Sequence, residues 1–471
     1  MSSEKWSVTR PADAPARSDF PLELHTYAED FVQLMLELVR QRMANGPRPL
    51  GSPGGRSELA AALEGVIGAT GRDPRDVLRI YQEVLEPTFV AMDNPTFLAF
   101  FQGAPSQAAT LFDMVVSSVA LRGVTWLGAS GAVAAENQVL SLLAARAGLP
   151  ETAGGCFLSG GSVANLSALV VARDTARLRL GLDDSQQVGI AVSDQAHPSV
   201  LHAIRIIGAR PIIVSTPSHR LTAAGLQDAL RECAVPPAAV VATAGTPNAG
   251  LVDDLTGIAN ITSRSGIWFH VDAAYGGGAA LFDPDSRALF AGIERADSLV
   301  VDPHKWLFSP YDCSALIYRR PESARAVHTQ RAAYFDVIHE AEYLEWNPSD
   351  FAYHSTRRPR GLPLWFALAV YGTDAFQAAV QTSLRTAEEL AALVDSTPYL
   401  ELVRPPELSV VLVRRLGWRK QDYQAWSEGL LERQEGFVAP TTWEAETVAR
   451  LAILNPRTTI AMLEKILASM A

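Results

Sequence analysis

Three cysteines in 471 residues are too few, and odd in number, for a disulfide framework. Cys156, Cys233 and Cys313 lie far apart, so none belongs to a Cys-x-x-Cys or other metal-ligand spacing. A reduced, cytoplasmic setting is the expectation. Long apolar runs are also missing. No stretch reaches about 18 apolar residues, which excludes a membrane-spanning helix. Residues 1–20 carry Lys5, Arg10 and Arg17 where a signal peptide would be apolar. That stretch is rich in Ser, Ala and Pro, and poor order is expected there. Basic residues are outnumbered, 40 against 51 acidic, for a net charge of -11. That balance points away from nucleic acid or an anionic membrane as partner. Internal repeats and low-complexity tracts are absent.

What remains is an ordinary globular composition, 48% hydrophobic and 19% charged, long enough for two or three domains. An amphipathic helix is expected over 22–43, where Phe31, Leu34, Met35, Leu38 and Val39 share a face, and another over 57–67. The Gly/Pro-dense residues 46–55 read as a linker. From about 110 to 320, helix and strand alternate. Helical patterns cover 107–121, 131–148 and 163–179. Apolar strands are expected at 188–192, 211–214, 239–243, 267–271, 298–301 and 314–318. Strands separated by helices imply a mostly parallel, covered sheet whose ligands bind beyond the carboxyl ends of its strands. Residues 328–356 are polar, aromatic and aperiodic, and a connection that long is usually functional or mobile. A helix resumes at Leu362, and the last hundred residues, with strands at 408–413 and 447–454, suit a smaller α+β domain.

Two strand ends carry the chemistry. Asp272 closes Trp268-Phe269-His270-Val271-Asp272, and Lys305, 33 positions later, follows Leu299–Val301 in an Asp-Pro-His-Lys-Trp turn. A lysine that forms a Schiff base needs a desolvated, fixed setting, which a buried strand end beside Trp306 supplies. A carboxylate such as Asp272 either caps the next turn or partners a buried cation. Opposite a pyridine nitrogen it would keep the ring protonated, so that the ring draws electrons from a substrate carbon. Gly160-Gly161-Ser162 ahead of an apolar helix offers close backbone approach, a hydroxyl and free N–H groups, the ingredients of a phosphate site. His197 follows another strand, and Thr243, Thr246 and Asn248 stand at a further strand end as hydrogen-bond donors. Taken singly, a turn lysine or a loop histidine is more often surface than site; their joint occurrence in one α/β region carries the reading. Asp272 and Lys305 are expected to hold opposite ends of one pyridoxal 5'-phosphate.

Together the stretches 94–101, 157–173, 193–197, 242–253, 270–275, 302–306 and 357–365 resemble the group II pyridoxal-phosphate decarboxylases, which include the aromatic-L-amino-acid, glutamate and diaminobutyrate decarboxylases. They occur in that family's order and spacing, over residues 22 to the end. The resemblance implies fold type I, aspartate-aminotransferase-like: residues 1–105 as an N-terminal helical segment wrapping the partner subunit, 106–370 as a large domain with a mostly parallel seven-stranded sheet and a mobile loop at about 328–350, and 371–471 as a small C-terminal α+β domain. It implies a homodimer with active sites at the interface. By motif position Lys305 is the Schiff-base lysine, Asp272 the pyridine-nitrogen partner and His197 the stacking residue. Gly161 and Ser162 hold phosphate, Ala274 packs under the ring, and Asp302 and His304 flank the imine. Thr246 joins the cofactor contacts. Tyr334 matches the loop tyrosine that protonates the carbanion after carbon dioxide leaves, with Phe335 directly after it.

The chain also departs from that pattern. Pro247 replaces a second threonine, and Gln102 and Gly103 stand where aromatic decarboxylases tend to carry Pro and a hydroxyl residue. Arg122 stands where they tend to be apolar, and Val124 is smaller than the aromatic expected nearby. Phe100, Phe101, Gln102, Arg122 and Val124 are the expected substrate-pocket residues. An arginine at 122 could hold a substrate carboxylate or phosphate, so the departures weaken an aromatic assignment. The expected activity is decarboxylation of a small-molecule L-amino acid, aromatic or other, to the amine and carbon dioxide. Alternatives are oxidative deamination to an aldehyde, where the loop fails to protonate the carbanion, or an aminotransferase using Arg122, Arg357, Arg358 and Arg360. A cofactor-binding regulatory protein is the reading furthest from these.

Overall fold

Six strands finish on the same edge of one sheet because they run parallel, and that edge collects the polar residues named above. In the computed structural model, which describes residues 24, 27–330 and 346–471, seven strands form this sheet. They are β1 (Gly154–Leu158), β2 (Gly189–Ser193), β3 (Arg210–Val214), β4 (Pro237–Thr243), β5 (Trp268–Asp272), β6 (Ser298–Val301) and β7 (Ser314–Tyr318). Their order is β1-β7-β6-β5-β4-β2-β3, and β7 alone runs against its neighbours β1 and β6. Expected strand positions agree to within two residues at either end. β1 was not among the strands read from periodicity, and the seventh comes only from the family resemblance.

Burial explains the apolar runs. β1, β2, β5, β6 and β7 are buried at every position, so their sequences are nearly continuous Val, Ile, Leu, Ala and Phe rather than alternating. Phe157 and Phe269, 0% and 1% exposed, fill the space between the sheet and its helices. Each such side chain contributes roughly 1.5–3 kcal/mol by leaving water. The helix Gly161–Leu180 packs on one face with Ala164, Ala168 and Ala172 inward. The helix Leu362–Asp395 crosses the other face and changes direction at Gly372, beside the boundary expected at 370/371.

A second sheet, antiparallel throughout, follows in the chain: β8 (Leu400–Leu402), β9 (Val410–Arg415), β10 (Ala439–Trp443) and β11 (Glu446–Ala452), in the order β10-β11-β9-β8. Helices Lys420–Glu432 and Ile460–Ala468 supply Tyr423, Trp426, Leu463 and Ile466 to its core. The early segment is tied into this layer. The Leu98 N–H donates to Phe437 O at 2.9 Å, and the Ala452 N–H donates to Leu98 O at 2.9 Å. Phe101 thereby reaches the edge where the large sheet ends. Before it lie helices Glu29–Ala44, Arg56–Leu63 and Pro74–Ile80. Among the described residues, no helix is long and apolar enough to cross a membrane.

Candidate active site

Beyond the carboxyl ends of β1, β2, β4, β5 and β6 lies a cavity of about 270 Å³, walled by Gly160, Gly161, Ser162, His197, Thr243, Asp272, Ala274, Asp302, His304 and Lys305 among others. Parallel strands bring these residues together although they span 145 positions of sequence, from 160 to 305. Lys305 sits in the short helix Pro303–Trp306, which β6 feeds directly. Its Nζ lies 3.0 Å from Asp302 Oδ2, and His304 Nε2 lies 3.6 Å from the same oxygen. Burial alone would lift the Asp302 carboxyl; Lys305 and His304 more than offset that and hold it below its ordinary value. His304 is fixed from the other side by the Cys313 N–H, which donates to Nδ1 at 3.1 Å. Burial lowers the His304 pKa, so its ring is held toward the neutral form.

Asp272 is 5% exposed and ends β5. Its Oδ1 accepts from the Ala274 N–H at 3.1 Å and its Oδ2 from Asn165 Nδ2 at 2.8 Å. His197 starts the helix Pro198–Ile206, and its Nδ1 accepts from the Ser199 N–H at 3.2 Å. That bond leaves Nε2 to carry the proton of the neutral ring. Burial lowers the pKa of His197, which favours this neutral form. At Gly161 a Cβ would lie 3.0 Å from Asp302 Oδ2 and 3.3 Å from Ala274 Cβ, so a side chain there would crowd both. The helix that starts at Gly161 has no side-chain cap, which leaves backbone N–H groups facing the cavity.

Several expected members stand elsewhere. Thr246 does not line the cavity; its hydroxyl accepts from the Leu251 N–H at 3.0 Å and closes its own turn. Thr243 lines it instead, beside its register partner Asp272, with a buried hydroxyl that has no partner among the described residues. Of the pocket residues, only Phe101 reaches this chain's cavity. Phe100, at φ +54°, is turned outward and 63% exposed. Gln102 is buried behind Tyr311, whose hydroxyl donates to it. Arg122 is exposed and Val124 is buried away from the wall. Tyr334 lies outside the described residues.

Three features escaped the sequence reading, one in the wall and two behind it. Tyr311 lines the cavity and packs on His304 with ring centroids 4.6 Å apart. Asp253 accepts the N–H groups of Thr243 and Leu221, each at 2.7 Å, and burial lifts its carboxyl to about 7. Arg450, from β11, lies 4.6 Å above the Phe101 ring, and Phe101 stacks on Tyr275 at 3.8 Å. The Arg450 guanidinium donates to the carbonyls of Phe100, Pro247 and Asn248, and burial lowers its pKa to about 10, so it stays charged at neutral pH. Arg450→Lys keeps the charge and loses the planar fork, leaving carbonyls unpaired. Its expected cost is about 1–3 kcal/mol of unfolding free energy. Urea titration of the cofactor-free protein reads this, and a loss below about 0.5 kcal/mol would contradict it.

The comparisons bear on the family and the fold. The family model for the pyridoxal-dependent decarboxylase conserved domain matches residues 67–415. The aromatic-L-amino-acid decarboxylase of Bacillus atrophaeus is 30% identical over 407 residues, covering 83% of this chain and 84% of its own. Phenylacetaldehyde synthase of Arabidopsis thaliana is 28% identical over 393 residues, 79% of this chain and 80% of its own. The crystal structure of Oryza sativa TDC with PLP and tryptamine has a TM-score of 0.88 at 25% identity, covering 95% of this chain and 99% of that one. Pyridoxal phosphate needs an amine for its aldehyde, an anion for its ring nitrogen and N–H or O–H donors for its phosphate. Lys305, Asp272 and the Gly161–Ser162 corner carry such groups on one cavity, and the Thr243 hydroxyl, unpartnered among the described residues, adds a polar group to its wall. The residues present fit that cofactor, and the chain belongs to the pyridoxal-dependent decarboxylase family.

Proposed function

We propose that this chain decarboxylates an aromatic L-amino acid to its amine and carbon dioxide with pyridoxal phosphate as cofactor. The observation that carries the reading is the convergence of Lys305, Asp272 and the Gly160–Ser162 corner on one cavity. Lys305 would anchor the cofactor aldehyde, Asp272 the ring nitrogen, and Gly161 and Ser162 the phosphate. Ala274 would support one ring face and His197 the other, with Asp302 and His304 beside the lysine nitrogen. When bound, the cofactor supplies an electron sink for the carboxyl carbon's bonding pair. Phe101 and Tyr311 give the wall aromatic character, and the names of the relatives support an aromatic substrate. The aminotransferase alternative loses support because three of its four arginines are engaged and the fourth, Arg122, is exposed away from the cavity. Arg357 pairs with Glu136, Arg358 with Asp113 and Arg360 with Asp312.

His197, and Tyr334 from the loop, are the groups assigned to return a proton to the substrate carbon. A homodimer fits an incomplete pocket, since Arg122 and Val124 stand away from this chain's own cavity and could serve the partner's. A cytoplasmic enzyme suits its cysteine content. Aldehyde formation stays as the second reading because Phe335 adjoins Tyr334 and one relative is a phenylacetaldehyde synthase.

The deciding experiment is a panel of L-amino acids scored for carbon dioxide, amine, ammonia and hydrogen peroxide. Expected are equal amounts of amine and carbon dioxide from an aromatic substrate, with no peroxide. Peroxide and ammonia in proportion to carbon dioxide would favour the aldehyde route. Carbon dioxide from no member of the panel would refute both.

A further inference from the structure

Asp272 is not an isolated carboxylate. Behind its Oδ2 the Asn165 amide continues to His270, with Asn165 Oδ1 2.9 Å from His270 Nε2. His270 Nδ1 lies 2.7 Å from Ser298 Oγ, and Trp268 Nε1 donates to that oxygen at 2.8 Å. Trp268, His270 and Asp272 alternate along β5 and so share one face. Ser298 is the register partner of His270 on β6. Asn165 descends from the helix Gly161–Leu180, the same helix whose start faces the cavity. All four are buried, from 0% exposed for His270 and Ser298 to 4% for Trp268, so bulk water does not compete for these bonds.

The direction of every bond follows from its ends. A carboxylate only accepts, so Asn165 turns its NH₂ toward Asp272 and its carbonyl toward His270. His270 Nε2 must then carry hydrogen. An indole N–H only donates, so Ser298 receives it and sends its own hydrogen to His270 Nδ1. This requires one donor and one acceptor on the imidazole, hence the neutral ring. Complete burial lowers the His270 pKa to about 3, which supplies that form. Four donors therefore point one way, toward Asp272, and aligned bonds in a dry interior reinforce one another. Because the far end is an indole, which offers no lone pair for a proton, the chain acts by polarisation and not by carrying protons.

We propose that Trp268, Ser298, His270 and Asn165 form a one-way hydrogen-bond chain that keeps Asp272 a carboxylate where the cofactor's ring nitrogen meets it. Asn165 and His270 are thus positioning residues. The proposal rests on the assignment of Asp272 made above. The need for the chain is visible locally: burial pushes the Asp272 carboxyl up, and Asp302 adds to that, while Lys305, the Ala274 N–H and Asn165 oppose it. His197 is the other titratable group that faces Asp272 from the cavity side.

The test uses full-length protein freed of cofactor and reloaded with pyridoxal phosphate labelled with ¹⁵N in the ring. Two quantities are read: the dissociation constant of the cofactor, and the ring-nitrogen chemical shift, which reports whether that nitrogen is protonated. Asn165→Leu should weaken binding at least about tenfold, the loss of a hydrogen bond to a charged group, and His270→Phe should weaken it in the same direction by leaving the Asn165 carbonyl without its donor. Each should also move the shift toward the unprotonated ring. His270→Gln can donate and accept across the same gap and should restore both readings. A wild-type constant and a protonated ring in Asn165→Leu would overturn the proposal. So would His270→Gln behaving like His270→Phe, because packing would then be the whole role of the ring. Should His270→Phe fail to fold, Ser298→Ala decides: weaker binding with a shifted nitrogen supports the chain, and unchanged values overturn it. If wild-type protein binds no pyridoxal phosphate, the functional reading itself fails; if wild type binds and the variants match it, only the chain fails.

Discussion

Lys305→Ala should stop turnover, lowering the rate by on the order of a thousandfold or more while leaving the fold intact. The ε-amine is the one lysine nitrogen in the cavity wall, and Asp302, 3% exposed, holds it at 3.0 Å. Among the described residues, no other wall residue offers a primary amine. Borohydride reduction of the loaded wild-type protein should fix the cofactor to the peptide containing Lys305. The same treatment of Lys305→Ala should leave cofactor and protein separable. A reduced adduct on any other peptide would contradict the assignment. The variant should also change its response to pH. In the wild type, Lys305 and His304 hold the Asp302 carboxyl below its ordinary value. That contribution is present above the unfolded carboxyl pKa and is lost as pH falls through the lower folded one. Without Lys305, burial dominates and lifts the Asp302 carboxyl. A raised carboxyl disfavours the folded state once pH rises above the unfolded pKa. Relative to wild type, the variant should therefore lose stability as pH rises above the unfolded carboxyl pKa, measured by urea unfolding without cofactor. A difference that stays constant with pH would argue against Asp302 as the partner of Lys305.

The reacting edge of the sheet was legible in sequence because parallel buried strands leave two signatures: a short apolar run, and an ionisable residue where the run stops. Asp272 and Lys305 both follow that rule. β1 broke it, since Gly154-Gly155-Cys156-Phe157-Leu158 opens on two glycines and ends without an ionisable residue. The structure gives the reason: a Cβ at Gly155 would lie 1.9 Å from Leu316 O, so the close pairing with β7 demands glycine inside a strand. Thr243 ends the strand expected at 239–243 and Thr246 follows three residues later, so both were candidates in sequence. Only the register with Asp272 separates them, and register is a property of two strands. Gln102, Arg122 and Val124 were placed by motif position, and one chain's cavity does not use them. The hydrogen-bond chain behind Asp272 had one sequence signal, Trp268, His270 and Asp272 at every second position of a strand. Ser298 and Asn165 come from other elements and could not be joined to it before the fold was known.

Glu136→Leu should destabilise the protein by about 3–5 kcal/mol, the cost of leaving a buried charge without its partner. Glu136 and Arg357 are 2% and 1% exposed at their side chains. Arg357 Nη2 donates to both carboxylate oxygens, at 2.6 and 2.8 Å, and its Nη1 donates to Gly123 O. The Gly361 N–H also donates to Glu136 Oε1, at 2.8 Å. One ion pair thus clamps the 122–124 turn to the start of the helix Leu362–Asp395, next to Arg360 and its partner Asp312. Removing the acid alone strands the guanidinium in a dry site. Removing both charges, as in Glu136→Leu with Arg357→Met, takes away the desolvation cost together with the attraction, so the double variant should recover most of the loss. The decisive quantity is the coupling from the four-protein cycle, measured by denaturant unfolding without cofactor. Recovery by the double variant would separate charge pairing from mere packing. Simple additivity of the two single losses would mean that the clamp works through shape, and that the pair itself could be exchanged for apolar contacts without consequence for the 122–124 turn.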